Sequence, residues 1–273
     1  MEQKLRAAVQ AIQGVKIPDL PKEILELDAV LASKFPNFQD ITRIIESNVK
    51  LSGEVMRLVN SPVMKLKVPV KSIREAVDVL GLINLKNLVV AAALNNLFSG
   101  RHFEEIVEHS KDVAFCCAEL SEYLEGVSRD EAYLLGLFHN AGCLLLASKD
   151  PENYPKVFLK VHANPIRGMS LENKFYGSNH GDIGLLIGKK WQLPVEMLNV
   201  IMLHHRSPEV IANDKMRGMA SMVQVANSIV NEVSYGTYVT EEARQYLAQA
   251  QEDLMIGKDV VDTVRKSLIV FSA

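Results

Sequence analysis

The chain has 273 residues, of which 48% are hydrophobic and 23% are charged. These proportions are ordinary for a globular protein, and the length allows one large domain or two small ones with a buried core. The formal net charge of −3 gives no electrostatic reason for general binding to nucleic acid or to an anionic membrane. We therefore expect neither of these partners.

The cellular compartment is predicted from the cysteines and from the apolar segments. The three cysteines, Cys116, Cys117 and Cys143, form no C-x-x-C motif, which indicates reduced thiols. The N-terminal segment lacks the apolar core of a signal peptide, and the longest apolar stretch, which starts at Leu88, is too short to span a bilayer. We expect a cytoplasmic protein.

The first hundred residues show the three- and four-residue periodicity of amphipathic helices. Between residues 38 and 62 this pattern predicts two short helices with a break at Gly53. Ser72 and Glu75 have the spacing of a capping box, and Gly81 predicts the end of that helix. A further helix is expected over about residues 84–98. No alternating apolar pattern predicts a strand, so the predicted fold class is all-α, a multi-helix bundle.

The second part of the chain is also predicted to be helical. Helices are expected over about residues 103–124, from Ser128, after Ser170, from Ser178 or Asn179, from Pro194, over about 215–233, and from about 240 and 259. The helix from Ser128 is expected to contain both His139 and Asn140. All seven histidines lie at or after His102. This asymmetry predicts two helical subdomains, residues 1–100 and 101–273.

The histidines are the candidate functional residues. The histidines expected on or beside separate helical segments are His109, His139, His180, His204 and His205. Imidazole is the commonest neutral ligand of transition metals, and helical bundles build metal sites from inward-pointing side chains. Metal sites that cleave phosphoesters normally add carboxylates, which offset the charge of the cations.

Each histidine also has a purely structural interpretation. His139 can be a core residue bonded to a backbone carbonyl, and His180 can be a residue near a helix cap. His204 and His205 fit the preference of a helix C-terminus for cationic rings. The remaining two, His102 and His162, are interpreted as loop or surface residues.

Asn140 and Asn227 admit the same kind of alternative, because a buried asparagine can fix the packing of two helices by hydrogen bonding. Cys143 is interpreted as a small core residue and not as a nucleophile. The sequence contains no G-x-S-x-G, Walker-type or H-E-x-x-H motif. Because these hydrolase and nucleotide-binding motifs do not occur, they give no prediction of an activity.

The ordered set of motifs resembles the HDOD domain, a family related to the HD-type metal phosphohydrolases. The resemblance runs from Leu20-Pro21 to about Ser207 and includes VMRLVNSP, SIREAVDVLGLINLKNLV, the His109-Ser pair, GLFHNAG, Glu172 before YGSNHGDIGLLIGKKWQLP, and the pair His204-His205. It implies an N-terminal helical subdomain packed on an HD-like helical subdomain.

The resemblance also implies a metal site, and this sequence departs from the ligand pattern of that site at two positions. In catalytic HD relatives the metal ligands are a histidine, a His-Asp doublet and a later aspartate. These roles would fall on His109, on His139 with Asn140, and on Asn227, while related phosphodiesterases have additional histidines at the positions of His180, His204 and His205. Both expected acids are asparagines here, and an amide is neutral and cannot act as a general base.

Two hypotheses from different classes follow. The first is a non-catalytic signalling or regulatory module of bacterial type, which binds a partner protein or a small ligand such as a nucleotide. It needs no cofactor, although the histidines could hold a divalent transition metal at low occupancy. The alternative is a metal-dependent phosphohydrolase with an atypical, histidine-rich site. A nucleic-acid-binding regulator is a third interpretation, which strongly salt-dependent binding to DNA would support.

Overall fold

The computed structural model describes residues 2–98, 100–235 and 241–272. Throughout these residues the regular structure is helical, with α-helices, short 3-10 turns and no strand. The predicted all-α fold class is therefore confirmed. No helix in the described ranges combines the length and the apolar character that crossing a membrane requires.

The N-terminal part is a group of short helices. In chain order they are α1 (Glu2–Ala11), α2 (Lys22–Leu31), α3 (Phe38–Glu46), α4 (Val49–Val59), α5 (Ile73–Leu80) and α6 (Leu82–Leu97). The predicted break at Gly53 is wrong, because Gly53 lies inside α4. The chain breaks five residues earlier, where the side chain of Asn48 accepts a hydrogen bond from the backbone nitrogen of Leu51 at 3.0 Å and caps α4.

The C-terminal part has longer helices. They are α7 (Arg101–Leu120), α8 (Arg129–Phe138), α9 (Ala141–Lys149), α10 (Tyr154–Ala163), α11 (Pro165–Tyr176), α12 (His180–Lys190), α13 (Val195–Leu203), α14 (Asp214–Tyr235), α15 (Glu241–Asp253) and α16 (Lys258–Phe271). Ser72, Ser128 and Asn179 each cap a helix by accepting a hydrogen bond from a backbone nitrogen. These caps agree with the predicted helix starts.

Two predictions for this part are wrong. The helix expected to contain His139 and Asn140 ends at Phe138, and α9 starts at Ala141, so both residues lie in the turn between two helices. The helix expected after Ser170 starts at Pro165, where Asn164 caps it. An additional helix, α10, was not predicted at all.

Helix α7 lies at the centre of the C-terminal part and packs along α8 and α14. Gly136 on α8 allows the close approach, since a Cβ there would lie 2.4 Å from the Cα of Ala114 on α7. The buried apolar side chains of the N-terminal and C-terminal parts form one continuous cluster. A boundary at residues 100/101 stays a prediction.

Candidate functional site

The structure brings six of the seven histidines into one buried cluster. They come from five places in the chain: His109 on α7, His139 after α8, His162 on α10, His180 at the start of α12, and His204 with His205 after α13. All are buried except His205, which is half-buried. The cluster contains every histidine proposed as a site residue from the sequence.

The cluster consists of two triads. In the first, His109, His139 and His162 place one ring nitrogen each within 4.8 Å of the others, and His180, His204 and His205 do the same in the second. The triads adjoin, because the ring centroids of His139 and His204 are 5.3 Å apart and those of His162 and His180 are 6.3 Å apart.

A glycine makes the approach of α9 and α12 possible. A Cβ at Gly142 would lie 2.0 Å from the backbone oxygen of His180, a distance that no side chain can adopt. The first turn of α12 therefore packs directly on the backbone of α9. This contact holds His180 next to the turn that contains His139 and Asn140.

Four of the rings are oriented by hydrogen bonds from Nδ1. His139 Nδ1 lies 2.5 Å from the oxygen of Gly136, His162 Nδ1 lies 2.9 Å from that of Phe158, and His204 Nδ1 lies 2.8 Å from that of Ile201. His180 Nδ1 lies 2.7 Å from Glu172 Oε2. Because these oxygens only accept, each Nδ1 carries a proton and each Nε2 points into the cluster.

Asparagine amides bind two rings of the first triad. Asn140 Nδ2 donates to His162 Nε2 at 2.9 Å, and His109 Nε2 donates to Asn227 Oδ1 at 2.9 Å. Asn140 Oδ1 also accepts from the thiol of Cys143 at 3.6 Å. Nε2 of His139 is buried without a hydrogen-bond partner. Both asparagines thus contact rings of the first triad, and their role in a metal site stays a prediction.

The second triad has no amide between its rings. His180 Nε2 lies 3.3 Å from Nε2 of His204 and 3.1 Å from Nε2 of His205. Glu172 is the carboxylate behind it, and it accepts hydrogen bonds from the hydroxyl of Tyr154 at 2.6 Å and from the backbone nitrogen of His180 at 2.9 Å. This buried carboxylate accepts three hydrogen bonds, two of which come from His180 and orient its ring.

Burial sets the protonation of most of the cluster. Desolvation lowers the pKa of His139 to about 4 and the pKa of His162 to about 3, and it holds the pKa values of His109 and His204 well below the ordinary value. These rings are neutral at neutral pH. Burial also raises the pKa of the Cys143 thiol, which does not favour a nucleophilic thiolate.

His180 differs from the other rings because it faces an acid. Burial alone would lower its pKa, but the neighbouring Cys143 and the Glu172 carboxylate raise the pKa of His180 well above the ordinary value. The same ion pair lowers the pKa of Glu172. Among these rings His180 therefore holds a second proton most readily, and its Nε2 lies within hydrogen-bond distance of Nε2 of both His204 and His205.

The interpretation of His162 as a loop or surface residue is wrong. His162 is buried on α10, and its ring centroid lies 4.4 Å from that of His109. The sequence contains a signal for it, since Val157, Phe158 and Val161 have the spacing of a buried helical face that continues to His162. His102 is half-buried in the first turn of α7, outside the cluster.

The residues do not fit a carboxylate-bridged pair of metal ions. Such a pair needs acids that offset its charge and bridge the ions, whereas Asn140 and Asn227 are neutral and Glu172 is already paired with His180. Imidazoles are themselves suitable ligands of a transition metal ion, and four of them, those of His139, His162, His180 and His204, have Nδ1 held by a second group, as is usual for metal-binding histidines. The site thus retains nitrogen ligands and lacks its acids.

The fold agrees with the comparisons to known proteins. The chain belongs to the HDOD domain family, whose model matches residues 17–207. An uncharacterized protein of Treponema pallidum (strain Nichols) is 27% identical over 222 residues, which cover 78% of this chain and 42% of that protein. The chain therefore spans less than half the length of that relative.

Two solved structures show the same fold. One, proposed to be a metal-dependent phosphohydrolase, is from Shewanella amazonensis SB2B; it has a TM-score of 0.70 and 21% identity, and the match covers 100% of this chain and 99% of that one. The other is an HDOD domain protein of unknown function from Geobacter sulfurreducens, with a TM-score of 0.69, 20% identity, and 99% and 96% of the two chains covered.

Proposed function

We propose that this HDOD protein is a non-catalytic signalling or regulatory module of bacterial type. It binds a partner protein or a small ligand, such as a nucleotide, and does not hydrolyse phosphoesters. The observation that carries the proposal is the replacement of both acids by asparagines that hydrogen bond to His162 and His109. An amide cannot take a proton from water at neutral pH.

The burial of the cluster supports the same conclusion. The rings of the first triad and the side chain of Asn140 are buried, so a substrate phosphate could not contact them without movement of the surrounding helices. The hydrogen bond from Asn140 to His162 and the one that Asn227 accepts from His109 stabilise this closed arrangement. A retained scaffold without its acids is suited to binding and to transmitting a conformational change.

The alternative function is a metal-dependent phosphohydrolase with an atypical histidine-rich site. One observation favours it: Nε2 of His139 is buried and lacks a hydrogen-bond partner, as expected of a ligand atom. A phosphohydrolase normally uses carboxylates at its metal site, whereas a binding module does not need them. An enzyme of this kind would have to generate its nucleophile without a carboxylate near the first triad.

The experiment combines metal analysis with a turnover assay. The protein is purified anaerobically, its metal content is measured, and hydrolysis of a model phosphodiester and of cyclic dinucleotides is followed with added Mn²⁺, Ni²⁺, Fe²⁺ or Mg²⁺. We expect no turnover above that of His139→Ala. Turnover that the wild-type protein shows and His139→Ala lacks would establish the alternative function.

A further inference from the structure

A surface cavity of about 350 Å³ lies between α10 and α11, outside the histidine cluster. Three cationic side chains line it: Lys160 on α10, and Arg167 and Lys174 on α11. Among the described residues of its lining, none is acidic. This concentration of positive charge in a chain with a net charge of −3 indicates that the cavity suits an anion.

The two lysines of the cavity have no counter-ion in the part of the chain that the structure describes. Neither Lys160 nor Lys174 forms an ion pair there. Other lysines of the C-terminal part do contact a carboxylate, namely Lys111, Lys190 and Lys215. Like charges that line one cavity repel each other, and a bound anion would offset this repulsion.

Neutral groups of the cavity can complete a site for phosphate oxygens. Ser170 contributes a hydroxyl group to the lining. Asn164 accepts a hydrogen bond at Oδ1 from the backbone nitrogen of Arg167 at 3.2 Å, so its NH₂ group remains as a donor. Guanidinium and ammonium groups are the side chains that most often bind phosphate. The cavity thus combines cations with neutral donors.

The two helices that form the cavity are in direct contact beneath it. A Cβ at Gly168 on α11 would lie 2.7 Å from the backbone oxygen of Val161 on α10. Only a glycine allows this approach, which fixes the backbones that carry Lys160 and Lys174 relative to each other. A site formed before the ligand arrives loses less conformational entropy on binding.

The same two helices hold the histidine cluster from their other side. Lys160 precedes His162 by two positions, and Lys174 follows Glu172 by two positions. Residues two positions apart on a helix project in nearly opposite directions, and here the lysines are exposed whereas His162 and Glu172 are buried. A ligand in the cavity would therefore contact the helices that carry the partners of Asn140 and His180.

We propose that the cavity between α10 and α11 binds the phosphate group of a small molecule through Lys160, Arg167 and Lys174. Its volume of about 350 Å³ lies within the range of small-ligand sites, roughly 300–1,000 Å³. The inference rests on the proposed function, because it names the class of small ligand that the module binds. The site is separate from the histidine rings.

The test is calorimetric titration at low ionic strength with three probes: inorganic phosphate, adenosine monophosphate and adenosine. We expect the two probes with a phosphate group to bind and adenosine not to bind. Lys160→Ala with Lys174→Ala should weaken binding by about tenfold or more, because each removes a hydrogen bond from a charged group. The matched control, Lys22→Ala with Lys189→Ala, removes two exposed lysines elsewhere and should bind like the wild-type protein.

The two phosphate-bearing probes also distinguish the source of the phosphate group. Tighter binding of adenosine monophosphate would identify a phosphorylated molecule as the ligand of the cavity. Equal affinities would identify the free phosphate ion as a sufficient ligand of the same site.

Nuclear magnetic resonance of the wild-type protein makes the test independent of the variants. The backbone amide signals of Lys160, Ser170 and Lys174 should shift most when adenosine monophosphate is added. No binding of either phosphate probe, binding unchanged in the double variant, or shifts confined to other helices would each overturn the inference and leave the non-catalytic role intact. Release of phosphate from adenosine monophosphate by the wild-type protein and not by His139→Ala would instead overturn the proposed function.

Discussion

Asn140 donates a hydrogen bond from Nδ2 to Nε2 of His162 at 2.9 Å. His162 can accept it because its Nδ1 proton is directed at the oxygen of Phe158. Asn140 also stands at the N-cap position of α9, yet its side chain caps no backbone nitrogen. The amide is therefore used inside the histidine cluster, where the related enzymes have a carboxylate that binds metal.

The Asn140→Asp variant should destabilise the metal-free protein by about 1–3 kcal/mol at a pH of about 8. The carboxylate cannot donate to the lone pair of His162, and it loses hydration in a buried site. Denaturation by urea measures the change. Asn213→Asp is the matched control, because this exposed residue caps α14 through its oxygen and should change the stability little. Equal stability of Asn140→Asp and wild type would contradict the role given to the amide.

The double variant Asn140→Asp with Asn227→Asp should bind divalent metal more tightly than the wild-type protein. It restores two negative charges beside His162 and His109, and carboxylates offset the charge of the cation. Calorimetric titration with Mn²⁺ measures the gain, which should be at least tenfold. An affinity equal to that of the wild-type protein would mean that Asn227 is not a member of the metal site.

The stability of the fold should fall in acid. A lowered pKa means that the folded protein takes up fewer protons than the unfolded chain, so stability is complete above the ordinary pKa of about 6.5 and is lost as the pH decreases. His139, with a pKa of about 4, and His162, with a pKa of about 3, each contribute about 1 kcal/mol per pH unit between about pH 6 and pH 4, and His109 and His204, whose pKa values are also lowered, act in the same direction. His180 has the opposite sign, because its raised pKa stabilises the fold at low pH and loses effect as the pH rises.

Denaturation curves at several pH values measure this slope. His162→Gln removes one of the four histidines with a lowered pKa and should reduce the slope, whereas His102→Gln, outside the cluster, should leave it unchanged. A free energy of unfolding that stays constant between about pH 6 and pH 5 would show that the rings are already solvated in the folded protein.

Replacement of Glu172 should destabilise the protein without any metal present. Its carboxylate accepts from the hydroxyl of Tyr154 and from two nitrogens of His180, so Glu172→Gln should cost about 2–3 kcal/mol. The control is Glu108→Gln, which removes an exposed ion pair with Lys111 and should change the stability by less than about 0.5 kcal/mol. Similar losses in the two variants would argue against a buried ion pair at His180.

Alanine substitutions at two glycines should change the stability of the protein in opposite directions. Gly142→Ala places a Cβ against the oxygen of His180 and should cost about 1–3 kcal/mol or more, because the backbones of α9 and α12 must separate. Gly53→Ala lies in the exposed interior of α4 with open space around it and should stabilise by roughly 0.5–1 kcal/mol. Thermal unfolding of both variants checks the signs, and a neutral Gly142→Ala would contradict the close contact.

The sequence predicted what depends on local pattern. The all-α class, the caps at Ser72, Ser128 and Asn179, and the five proposed site histidines follow from periodicity, capping residues and motif order. The turn at His139 and Asn140 was harder to predict from the sequence, because the apolar residues on both sides of the HNAG segment have the pattern of one continuous helix. Asn140 is a typical N-cap residue type, a signal of the turn that the predicted continuous helix did not use.

His162 was missed because its helix was missed. α10 runs from Tyr154 to Ala163, a stretch for which no helix was predicted. Its role also depends on tertiary packing, since Asn140 reaches it across 22 positions of the chain. Distances between the two triads likewise depend on how five segments pack, which local pattern cannot predict.

The most direct test of the account is the location of metal ions by anomalous X-ray scattering in crystals grown with Zn²⁺ or Mn²⁺ and phosphate. The account predicts no pair of ions bridged by phosphate in the histidine cluster, with the hydrogen bond from Asn140 to His162 intact. Two ions bridged by phosphate between the triads would contradict it.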